Sequence, residues 1–82
     1  MNNYYKIKIK RDDNSVRCWL GDAHGKLHCV IEKFSLILSE TAIESEDIKK
    51  YLSDKEWELV PVDRSKYEDQ FIIDDVYYEF NN

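Results

Sequence analysis

Both cysteines, both histidines and both glycines of this 82-residue chain fall in one stretch, CWLGDAHGKLHC, residues 18–29. Cys18, His24, His28 and Cys29 are thiol and imidazole groups of the kind that hold zinc, and two thiols so close in sequence can also form a disulfide. Structural zinc sites take ligand pairs that a tight turn presents together, as in C-x2-C, and no such pair occurs here. A hairpin across GDAHGK, with Gly25 supplying a positive φ, puts Cys18 opposite Cys29, Val16 opposite Ile31 and Leu20 opposite Leu27 on one apolar face. His28 then lies on the other face, cross-strand from Trp19, and His24 sits at the loop tip in water. The four groups cannot converge on one ion in that register, so no metal and no cofactor is expected. Cys18 and Cys29 are expected as buried thiols, with a cross-strand disulfide as the alternative.

Other constellations are sparse. Asp74 and Asp75 are the best carboxylates for acid–base work, yet neighbours on a strand point to opposite faces and form no dyad. There is no nucleophile elbow and no glycine-rich phosphate loop, and a chain this small is poorly suited to a deep pocket, so the protein is not expected to be an enzyme. Lys6, Lys8 and Lys10 with Tyr4 and Tyr5 could track a phosphate backbone. A sequence pI near 4.9 opposes direct nucleic-acid binding, and the lysines are expected instead to protect an exposed strand edge.

Behind these residues the pattern predicts a single domain spanning residues 1–82, since a chain of this length builds one small core. Residues 5–10 alternate strictly, which predicts a strand with Ile7 and Ile9 inward and its lysines on a wet face. Asp12-Asp13-Asn14-Ser15 reads as a turn centred on Asp13-Asn14, and the next strand begins near Val16 with Ile9 beside Cys18 and Ile7 beside Leu20. Alternation breaks at Glu32-Lys33, leaving Phe34–Leu38 as a bulge, a crossing segment or a short helix. Ser45 reads as the N-cap of a helix with Glu46 and Asp47 in its first turn, Ile48, Tyr51 and Leu52 buried, and an end near Asp54. Trp57–Val62 reads as a strand whose Pro61 demands an edge position or a strand end, and Phe71–Phe80 as a long final strand. The expected fold is α+β, an antiparallel sheet of about five strands in the order β-β-β-α-β-β with one main helix on one face.

Charge divides the chain. Residues 1–39 carry seven Lys/Arg against four Asp/Glu, and residues 40–82 carry five against thirteen. An acidic surface repels phosphate and attracts cationic proteins. Around Glu56 and Glu58, and along Asp74, Asp75, Tyr77 and Glu79, carboxylates interleave with aromatic residues, which suits an Arg/Lys-rich protein target. Alternation can bury either Phe71, Ile73 and Tyr77 or Ile72, Val76, Tyr78 and Phe80. The second set is expected inside, which presents Asp75, Tyr77 and Glu79 outward.

These features predict a small acidic inhibitor that occupies the basic surface of a nuclease or other nucleic-acid-acting protein, its carboxylates standing in for phosphates. In size, acidity and want of an active-site motif the chain resembles phage-encoded anti-defence inhibitors, anti-CRISPR proteins among them, and immunity proteins that neutralise nuclease toxins. The similarity is one of kind and no motif carries a family. The rival class is a homo-oligomeric structural or regulatory domain, formed as a homodimer through sheet edges or outer aromatics. The longest uncharged apolar-leaning run, FSLILS at 34–39, is too short to span a bilayer and no hydrophobic signal segment opens the chain, so a soluble cytoplasmic protein with no membrane partner is expected.

Overall fold

A computed structural model describes residues 3–10 and 17–80. The fold is α+β, a mostly antiparallel sheet of six strands with a few helical turns. In chain order the elements are β1 (Tyr4–Lys10), β2 (Arg17–Ala23), β3 (Lys26–Val30), β4 (Ile37–Ser39), α1 (Glu40–Ile43), α2 (Glu46–Leu52), β5 (Glu56–Val62) and β6 (Ile72–Ile73), with single 3-10 turns at Glu32–Phe34, Arg64–Lys66 and Asp69–Phe71. No described helix is long and apolar enough to cross a membrane.

β1 organises the sheet. β5 pairs with it along all seven residues, from Tyr4↔Val62 to Lys10↔Glu56. Its other edge is divided: β2 takes the end, with Ile9↔Cys18, and β4 takes the beginning, with Tyr5↔Leu38. The strand order is β3-β2-β1-β4-β6, with β5 beside β1 and a parallel pairing between β4 and β6. The alternating pattern works as expected on the inner face, where Ile7 and Ile9 are almost wholly buried with Cys18, Leu20, Leu27, Leu38, Ile48 and Leu52. The expected turn at Asp13-Asn14 and the residue Val16 lie outside the described residues.

Three expectations need correction. The β2–β3 hairpin closes through a two-residue turn at His24-Gly25, where φ is 55° and 80°. Positive φ at both central residues is the tight-turn geometry whose twist matches that of paired strands. The strands therefore run to Ala23 and Lys26, and the register is shifted by two from the expected one, so that Leu20 faces Cys29 and Asp22 faces Leu27. The Asp22 carboxylate accepts the Gly25 N–H at 3.1 Å, which holds the turn. Cys18 and Cys29 are diagonal rather than directly opposite, and they are joined in a disulfide instead of remaining thiols. Their Cα atoms lie 5.2 Å apart, inside the roughly 4.4–6.8 Å that a bridge spans.

The second correction is the end of the chain. The long final strand is reduced to Ile72–Ile73, and residues 74–80 form no strand pairing. Side chains take over the backbone's hydrogen bonding there. Ser39 donates its hydroxyl to the Asp74 carbonyl at 2.9 Å while accepting from Ala42 N–H as the α1 cap. Ser45 begins α2 as expected, but its hydroxyl accepts the Tyr77 N–H at 2.7 Å rather than capping the helix. Asp47 accepts the Glu79 N–H at 2.8 Å, and Phe80 N–H donates to the Gly25 carbonyl at 2.7 Å. The tail is thus clamped between the helical segment and the β2–β3 turn.

The third correction concerns the lysines. β1 is interior, so Lys6, Lys8 and Lys10 protect no sheet edge. Lys6 is buried, with its ammonium 4.6 Å from the Tyr67 ring centre, 5.7 Å from that of Trp19 and 3.5 Å from Glu32. Cation–π attraction and an ion pair offset the cost of removing that charge from water.

Candidate functional site

The six residues singled out from the sequence divide into three kinds. Tyr77 is core. It is 7% exposed, and its hydroxyl donates to the Asp22 carboxylate, which the hairpin register places on the inner face of β2. Glu79 is half-buried and accepts the Leu27 N–H at 3.0 Å, so it ties the tail to β3 instead of facing a partner. The expected outward presentation of Tyr77 and Glu79 is therefore reversed. Tyr78, Phe80 and Val76, expected inside, are 77%, 63% and 40% exposed. An apolar row beside Asp75 replaces the acidic one.

Asp74 belongs to a polar cluster. Its carboxylate accepts the Tyr4 hydroxyl and lies 3.6 Å from the Arg64 guanidinium, which is equally close to Asp69 and stacks 5.5 Å from the Tyr4 ring centre. Asp75 is exposed and turns one oxygen back to its neighbour's N–H, Val76, at 2.7 Å. Asp74 and Asp75 thus face different surroundings and share no proton.

Glu56 and Glu58 are exposed on β5, on the face opposite Trp57 and Leu59. Register sets them against Lys10 and Lys8 of β1, and Glu56 lies 3.5 Å from the Lys10 ammonium. Trp57 and Leu59 share the face of Ile9 and Ile7 but remain 44% and 40% exposed. The alternation E-W-E-L made this two-faced strand legible, but alternation does not say how far its apolar side is covered.

The two tyrosines that meet carboxylates titrate abnormally. Burial, then the bond to Asp22 and the nearby negative charges, raise the Tyr77 phenol above its ordinary value. The bond to Asp74 chiefly raises that of Tyr4. Because folding favours the protonated phenols, their stabilisation is complete below the ordinary value of 10.0 and is lost as pH climbs beyond it. Ultraviolet titration should find two of the tyrosines, Tyr4 and Tyr77, ionising late, as the protein unfolds. Tyr77→Phe should remove one late component, and a single titration step shared by all the tyrosines would contradict this.

Asp22 and Tyr77 also line a recess of about 460 Å³ with Val30, Phe34, Leu36 and Ile73. Asp22 and Tyr77 are bonded to one another, and Gln70, the third polar side chain of its lining, donates to Glu68. Among the described residues no three His, Cys, Asp or Glu side chains gather as a metal-binding group.

The strongest regional signature is charge. From Asp54 to Asp75 eight carboxylates stand against three cations, and all eight are exposed. Two of the cations are already engaged, Lys55 with Asp54 and Arg64 with Asp69 and Asp74. Compared with known protein families, curated proteins and solved structures, the chain matches none.

Proposed function

We propose that this protein is a small, rigid, acidic inhibitor that binds the basic surface of a nucleic-acid-acting protein, an anti-defence inhibitor of the phage type. The observation that carries the reading is the stretch from Asp54 to Asp75, where eight exposed carboxylates outnumber three cations and β5 shows Glu56 and Glu58 on one face and Trp57 and Leu59 on the other. Such a field steers a cationic partner into encounter and repels nucleic acid from the same place. The exposed apolar side chains give the complex contact area that charge alone lacks. No catalytic step is required, and the action is placed in the cytoplasm, where the target works. Neutralisation of a nuclease toxin by an immunity protein would use the same physics with a different partner.

The test is capture of partners by the tagged protein from nuclease-treated lysate, elution at rising salt, and assay of the eluted protein's nucleic-acid binding. The expected result is a basic nucleic-acid-binding protein, released as salt screens the contact and inhibited when the acidic protein is added back. Glu56→Lys with Glu58→Lys should slow association about ten-fold at low salt. Affinity indifferent to salt, or an eluted partner whose nucleic-acid binding is unaffected, would overturn the reading.

A further inference from the structure

β5 shows on one edge what kind of strand it accepts. Along β1 it meets alternating lysine and isoleucine: Lys10 against Glu56, Ile9 against Trp57, Lys8 against Glu58 and Ile7 against Leu59. Charges lie on one face and apolar side chains on the other. Among the described residues β5 pairs with no other strand, so its second edge is open. Side chains on a strand stand above and below the sheet, and those of β5 therefore flank a strand on either edge equally. Trp57 and Leu59 are 44% and 40% exposed, while Ile9 and Ile7 across from them are 2% and 0% exposed. The apolar face thus extends one strand beyond its cover.

We infer that the open edge of β5, from Glu56 to Val60, is a strand-addition site for an extended, antiparallel partner segment that alternates Lys or Arg with aliphatic residues. The basic side chains lie against Glu56 and Glu58, and the aliphatic ones cover Trp57 and Leu59. Main-chain hydrogen bonds supply affinity and the alternation supplies specificity. The glutamates also face lysines of β1, and a carboxylate has acceptor sites for more than one cation. Pro61 has no N–H to donate, which ends the ladder near Val60. A second copy fits this edge less well. Antiparallel self-pairing centred on Glu58 sets that carboxylate against itself, and pairing centred on Leu59 sets Pro61 against Trp57, between chains of net charge −5.

The inference rests on the protein-binding reading above and adds where the partner docks and what its segment looks like. The probe is an acetylated, amidated heptapeptide of alternating lysine and valine, titrated into the full chain and followed by amide NMR shifts and tryptophan fluorescence. Two controls keep the charge: a peptide of the same composition with lysines and valines in separate blocks, and the alternating peptide N-methylated at every second residue on its bonding edge. The expected result is saturable shifts concentrated on Glu56–Val60 and at least ten-fold weaker binding of both controls. Equal binding of all three peptides would reduce the contact to charge and overturn the proposal. Shifts centred elsewhere, no binding, or concentration-dependent self-association through Trp57–Val60 would also overturn it. If a salt-released nucleic-acid-binding partner is found and the peptide does not bind β5, only the docking proposal falls. If the peptide binds and no such partner exists, only the inhibitor reading falls.

Discussion

Tyr77→Ala is expected to lower the free energy of unfolding by about 3–5 kcal/mol, the usual cost of truncating a large aromatic side chain in a core. Tyr77 is 7% exposed and packs within the cluster that contains Leu20, Leu27 and Ile48. The substitution also removes the Tyr77 hydroxyl's bond to Asp22, whose carboxylate keeps the Gly25 N–H. A domain of this size has on the order of 4–12 kcal/mol of stability in all, so the variant should be near unfolding at room temperature. Tyr77→Phe keeps the ring and isolates the hydroxyl, with an expected loss of about 1–2 kcal/mol. Tyr78→Ala, one residue along and 77% exposed, should change stability by no more than about 0.5 kcal/mol. Urea unfolding of the three variants reads these differences, and a larger loss for Tyr78→Ala than for Tyr77→Ala would reverse the assignment of faces in the tail.

Reduction of the Cys18–Cys29 bridge should lower stability by about 3 kcal/mol, the loop-entropy figure for a closure of this length. The two strands are paired already, so the bridge acts on the unfolded chain rather than by adding a contact to the folded one. Oxidised native protein should show no titratable thiol, and denatured, reduced protein should show two. Two reactive thiols in air-oxidised native protein, with unchanged stability on adding reductant, would remove the bridge from the account. In a reducing cytoplasm such a bridge is disfavoured, and the protein would there depend on its apolar core alone.

The sequence by itself determined the faces of the strands that alternate cleanly and the start of the main helix. The alternation of residues 5–10 specified β1 and its inner face, and Ile9↔Cys18 follows because a one-residue slip would bury Arg17. Ser45, Glu46 and Asp47 marked the start of α2, and the two-faced character of β5 was written in Glu56, Trp57, Glu58 and Leu59. Glu56, Glu58 and Asp75 are exposed, as charged side chains usually are.

Tertiary structure decided whatever the pattern left degenerate. A hairpin shifted by two residues keeps the same apolar face, so periodicity could not tell Cys18 opposite Cys29 from Leu20 opposite Cys29. The tight turn at His24-Gly25 made that choice. Both faces of residues 71–80 carry apolar and acidic side chains, so alternation alone could not rank Tyr77 against Tyr78. What ranked them was distant in sequence: Asp22 for the Tyr77 hydroxyl, and Ser39, Ser45 and Asp47 for the tail's backbone. The same holds for Lys6, whose burial depends on Trp19, Glu32 and Tyr67 closing over it, and for Trp57 and Leu59, which stay half-open where Ile9 and Ile7 beside them are covered. Local order sets which face a side chain takes, while long-range packing sets whether that face is covered.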